Sequence, residues 1–284
     1  MAKNPLKHVD GGNVLYHYLQ KTLQEEDIWL FQMLVAKLIV ALGVWFPPHA
    51  YARFPIALPF VIRDPNCRKP VDEWSAPNES GYLRDDNSLI KALHKSLSVD
   101  PASFTGYRKR RLGTGFIAAH VWRETTDGGL ASRTASTNSF WPNLVWLPAN
   151  VAKLTDREGS FAQGFVQAIS TKMYRDIKLQ GPLGDFVEEA WSMLPEAPEV
   201  PSQALPNPED LNFFDVPEAY IDRRLERIRG VVDGLRLVEV GKPVADKVVT
   251  KRYTAGLNGL DVEAARALRI RLEGYVDAAE AANS

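Results

Sequence analysis

His120 is the residue of this chain whose surroundings best suit chemistry. It sits within an apolar, aromatic run, GFIAAHVW over residues 115–122, and a polar turn region with Asp127, Gly128 and Gly129 follows. An imidazole has its ordinary pKa near neutrality, so it can take a proton from water at physiological pH. Asn143 stands directly before the apolar run LVWL, where a side-chain amide can orient a base or hold a loop. Arg108, Lys109, Arg110 and Arg111, joined by Arg123 beyond the histidine, bring five positive charges and no acid into this stretch. Beside a base, such a cluster would neutralise the phosphates of a nucleic-acid backbone; on its own it is a solvated loop.

These residues need a scaffold, and the surrounding pattern supplies one. Residues 115–122 read as a strand, and 125–139, rich in Thr, Ser and Gly, as a loop. Residues 143–147, after Pro142, read as a second strand, and Pro148 followed by ANVAKL reads as a helix start. Strand, loop, strand, helix, with His on the first strand and Asn opening the second, resembles the HNH (ββα-metal) endonuclease family in its AAH-type branch, over about residues 114–160. The resemblance implies a fold that is α+β, mainly helical, with a central ββα-metal-like motif. It implies that His120 activates water against a phosphodiester, that Asn143 orients it, and that one divalent cation, Mg²⁺, stabilises the developing charge. Ala119 stands where many members carry an acidic or histidine ligand, and Ala152 where the last ligand is expected. Asn150, two residues earlier, and Asp156, four later, are the candidate metal ligands.

DNA is the expected partner, held by Arg108, Lys109, Arg110, Arg111 and Arg123, in an enzyme of restriction or defence type. A catalytically inactive nucleic-acid-binding or assembly protein with a degenerate ββα core is the alternative, favoured by Ala119. A third option is an unrelated α/β enzyme in which His120 pairs with Glu124 or Asp127. No Walker loop, GxGxxG or GxSxG is present.

At 284 residues the chain is long enough for one large or two ordinary domains. Its net charge of −1 makes no global case for nucleic acid, so any such case is local. A single cysteine, Cys67, excludes an internal disulfide framework, and it fits a reducing cytoplasm. The N-terminus lacks the apolar run of a secretory signal. Residues 28–46 have the length of a membrane span, but Gln32, Lys37 and the preceding Glu25, Glu26 and Asp27 favour a buried helix, either a central packing element or a homodimer contact, and no membrane partner.

Four regions follow along the chain: a mostly helical 1–106, the HNH-like core with its packing helices at 107–194, a Pro-rich acidic linker or arm at 195–217, and a helical 218–284. Asp85 and Asp86 are helix-end charges or metal ligands, with a helix expected over 88–97. Residues 195–217 hold six prolines, and Phe213 and Phe214 would dock them against something apolar. Arg223, Arg224, Arg227 and Arg229 surround an apolar stripe of Ile221, Leu225, Ile228 and Val232; this basic helix touches nucleic acid or is a charged surface. LRLVEV, at 235–240, suggests a short strand.

Overall fold

The run LVWLP, residues 144–148, is apolar at every position, so it can sit only where both of its faces are covered. It does so as an inner strand of a five-stranded mixed sheet. The computed structural model describes residues 22, 24–64, 83–100, 104–200, 205–245, 247–249 and 251–282. Cys67 lies outside the described residues.

The strands are β1 (Val44–Trp45), β2 (Val61–Arg63), β3 (Leu83–Asp85), β4 (Ser98–Asp100), β5 (Phe116–His120), β6 (Leu144–Pro148) and β7 (Asn212–Asp215). The helices are α1 (Glu25–Leu42), α2 (Pro48–Arg53), α3 (Ser88–Ala92), α4 (Ala135–Asn138), α5 (Ala149–Thr155), α6 (Phe161–Tyr174), α7 (Pro182–Ser192), α8 (Glu218–Glu239), α9 (Lys251–Asn258) and α10 (Val262–Ala281). The chain is α+β, mainly helical.

The main sheet runs β4-β7-β1-β6-β5, with β1 and β7 parallel and the other pairs antiparallel. β2 and β3 form a separate parallel pair. β5 and β6 are in register from Phe116↔Pro148 to His120↔Leu144, and α5 packs on both strands. Pro148 ends β6 and caps α5 instead of opening the helix; its ψ of 137° is extended.

The sheet draws on three of the four regions delimited along the sequence. β1 comes from the first, β5 and β6 from the second, and β7 from the Pro-rich arm. The arm is therefore no free linker at β7: Asn212 is fully buried, its amide donating to the carbonyls of Ala41 and Gly43 at 3.0 and 3.1 Å, and Phe214 meets the rings of Phe46 and Trp146. Around these rings the core is aromatic, with Phe46 stacked on Trp141 and Tyr174 donating to the Phe46 carbonyl at 2.5 Å. Such pairs add to area burial because ring edges meet ring faces or stack with offset.

Two helices depart from expectation. α1 starts on three acids, Glu25, Glu26 and Asp27, which suit the positive helix end, and stops before Pro47 and Pro48. It is not enclosed among the described residues: Val35, Ala36 and Ile39 are buried, while Trp29, Phe31 and Leu34 are more than half exposed. No described helix is long and apolar enough to cross a membrane. Residues 235–240 are not a strand, because Leu235 and Val238 continue the buried stripe of Ile221, Leu225, Ile228 and Val232 at helical spacing. α8 therefore runs on to Glu239 and packs along α10, whose Tyr275 hydroxyl both accepts from Ile56 N and donates to Ile56 O at 2.9 Å.

Candidate functional site

His120 ends β5, the edge strand of the sheet, and an edge strand leaves one side open. There the chain forms a cleft of about 470 Å³. His120 and Ala118 contribute from β5, Arg63 from β2, Asp86 and Asn87 from just before α3 and Lys91 from its last turn, Arg123 and Ser132 from the loop, and Asp156 from the end of α5. Three cations thus face two carboxylates around one half-buried histidine.

The imidazole is held by the loop that follows it. Nε2 lies 3.1 Å from the Asn138 carbonyl oxygen, which can only accept, so Nε2 carries the proton and Nδ1 is left as the basic nitrogen. Asn138 is itself fixed, because its amide donates to Val61 O at 2.8 Å. That bond ties α4 to β2, the strand that carries Arg63. Burial above all pushes the imidazole pKa down to about 4, the positive charge of Arg63 adds to the fall, and the Asn138 carbonyl and the Asp156 carboxylate oppose it. At neutral pH the ring is uncharged.

Asn143 does not face the cleft. It is fully buried, and its amide joins the two ends of the loop: Oδ1 accepts from Trp122 N at 2.7 Å, and Nδ2 donates to Thr137 O at 2.9 Å. Its own carbonyl accepts from Val121 N at 3.0 Å. Its link to His120 runs only through the loop, at Thr137, one residue away from Asn138. Asp127 is taken up in a turn, accepting from Thr125 Oγ1 at 2.5 Å and Gly129 N at 3.1 Å, and neither it nor Glu124 lines the cleft beside His120.

The candidate metal ligands separate. Asp156 lines the cleft, whereas Asn150 is exposed on the first turn of α5 and lies outside the lining. Ala119 and Ala152 are both buried. Among the described residues no group of three or more His, Cys, Asp or Glu is assembled for a metal. Asp85 is a helix-end residue, accepting from Ser88 Oγ and Leu89 N at 2.7 and 2.9 Å, and Asp86 accepts from Ser88 N at 3.2 Å while lining the cleft. Asp86 and Asp156 are the two carboxylates among the lining residues.

The basic residues separate as well. Of the five, Arg123 lines the cleft. Arg108, Lys109, Arg110 and Arg111 are exposed on a segment tied to β4, with Lys109 N donating to Val99 O and Val99 N to Arg110 O. β4 is the edge opposite β5, though Tyr107 reaches across to Phe116 of β5, and none of the four lines the cleft. Arg63 and Lys91 take its place at the cleft. They come from segments 57 and 29 residues before His120, with no spacing that would join them to it. Asn138 was concealed in the Ser/Thr-rich loop for the same reason.

No family model, no curated protein and no solved structure matches this chain.

Proposed function

We propose that the His120 cleft hydrolyses phosphodiesters, and that the chain is an HNH-like endonuclease acting on DNA. The observation that carries this reading is a histidine whose Nε2 is held by the Asn138 carbonyl, on an edge strand paired antiparallel with β6 and followed by a helix, in a cleft lined by Arg63, Lys91 and Arg123. His120 Nδ1 takes a proton from water as the water attacks phosphorus, and the leaving oxygen departs on the opposite side. The three cations stabilise the charge that accumulates on the phosphoryl oxygens. A diester phosphate in the cleft also raises the basicity of the ring, since a neighbouring negative charge favours imidazolium. Asp156, with Asp86, would hold a Mg²⁺ that arrives with the phosphate, and the ion would supply further charge stabilisation. The material around the hairpin and helix leaves room for sequence recognition, which suits a restriction or defence enzyme.

Hydrolysis of bis(p-nitrophenyl) phosphate tests the site without requiring DNA recognition. Turnover is expected with Mg²⁺ or Mn²⁺, with a loss of at least about 100-fold in His120→Ala, the scale of a missing general base. Turnover unaffected by that substitution would remove His120 from the chemistry. The second reading, a binding protein with a decayed core, is favoured by Ala119 and by the separation of Asn150 from Asp156. DNA binding without hydrolysis would select it.

A further inference from the structure

Arg223 and Arg227 lie four residues apart on one face of α8, and both are exposed. With Lys95 they line a second hollow of about 240 Å³ that contains no acidic residue. The two hollows have no lining residue in common but draw on adjacent residues of one segment, 86–91 and 92–96. Lys91 of α3 faces the His120 cleft, and Lys95, four residues on in the 3₁₀ turn Leu93–Ser96, faces the second.

The walls are fixed to each other. Tyr220 on α8 donates its hydroxyl to Leu93 O at 3.0 Å, and the largely buried Arg224 donates to Ala57 O at 3.0 Å, four residues before β2 begins. α8 is thus held beside the turn that carries Lys95 and close to the strand that carries Arg63. The pairing of charges along α8 is uneven. Arg229 pairs with Glu280, and Arg236 with Asp233 and Glu273. Arg223, Arg227, Lys91, Lys95, Arg63 and Arg123 have no ion-pair partner among the described residues. The run Arg108–Arg111 likewise shows no ion pair among the described residues, so what marks the route is its place beside the cleft and a lining without an acid.

We infer that Lys95, Arg223 and Arg227 extend the cleft into a track for the DNA sugar–phosphate backbone beyond the phosphate being cut. The inference rests on the proposed phosphodiesterase reading and adds the direction in which the nucleic acid leaves the site: over α3 and onto α8. Contacts of this kind position a duplex and carry no base sequence, so they contribute affinity with a salt dependence set by the number of phosphates neutralised.

The test compares wild type with a Lys95→Gln/Arg223→Gln/Arg227→Gln variant and, as an equal-charge control, Arg108→Gln/Lys109→Gln/Arg110→Gln. Anisotropy of a short fluorescent DNA duplex over a series of salt concentrations gives affinity and salt slope. Bis(p-nitrophenyl) phosphate, too small to reach the track, reports the cleft. Circular dichroism melting confirms that both variants fold. The track variant should bind DNA at least about tenfold more weakly, with the slope of log affinity against log salt reduced by about 2 to 3, and should hydrolyse the small diester like wild type. The control should keep most of the wild-type slope. Unchanged affinity and slope in the track variant, or an equal loss in the control, overturns the track. A wild type that binds no DNA overturns it as well. Loss of DNA binding in the track variant alone, in a protein that hydrolyses no diester, upholds the track and instead removes the catalytic reading.

Discussion

A half-buried imidazole held neutral has consequences at the level of a single residue. The His120 pKa, pushed down to about 4, predicts that kcat/KM for the small diester shows no titration near the ordinary histidine value and falls only as pH drops towards 4. An acid limb centred near 6.5 would contradict this environment. The same shift links to stability. Between about pH 4 and 6.5 the unfolded chain binds a proton at His120 that the folded chain refuses, so stability rises with pH across that window and levels off above it. Urea titrations of His120→Gln should therefore lose part of the acid sensitivity of the wild type, on the order of 2 to 3 kcal/mol between the ends of the window. Asn143 makes the complementary case. Asn143→Ala strands Trp122 N and Thr137 O in the interior and should cost about 1–3 kcal/mol, seen as a melting point lower by several degrees. An unchanged melting point in Asn143→Ala would mean that the amide is not a staple.

At the scale of elements, the hairpin and helix were legible because they are local. The apolar run that holds His120, the run at 144–148 and the helix after it are contiguous in sequence, and periodicity registers them. What surrounds them was not legible, because it is assembled from distant segments. β2 brings Arg63 and α3 brings Lys91, while the conspicuous run at 108–111 is pinned to β4 by backbone bonds that no composition reveals. The reading of 235–240 as a strand failed for a related reason: a buried helical stripe overrode local strand preference. The cleft's makeup predicts that Arg63→Ala or Lys91→Ala lowers kcat on the small diester by about tenfold or more, whereas the Arg108→Gln/Lys109→Gln/Arg110→Gln variant leaves it unchanged. The opposite pattern would place the working cations on the wrong edge.

At the scale of the whole molecule, the main sheet joins stretches that composition divides. The acidic, Pro-rich arm reads as a boundary because its prolines disfavour helix, yet Asn212 and Phe214 make its β7 an inner strand between β4 and β1. α10 is equally integral through Tyr275, which satisfies both backbone groups of Ile56. Removing residues 246–284 should therefore abolish cooperative thermal unfolding, and Tyr275→Phe alone should cost about 1–3 kcal/mol. A truncated chain that melts cooperatively near the full-length temperature would show that the C-terminal helices are dispensable. The central claim is that His120 makes this fold a DNA-cutting enzyme, and cleavage of supercoiled plasmid with Mg²⁺ tests it most directly. Wild type should convert the plasmid to nicked and linear forms, with EDTA stopping the reaction and His120→Ala binding DNA without cutting it. Cutting by a purified His120→Ala protein at the wild-type rate would contradict the claim.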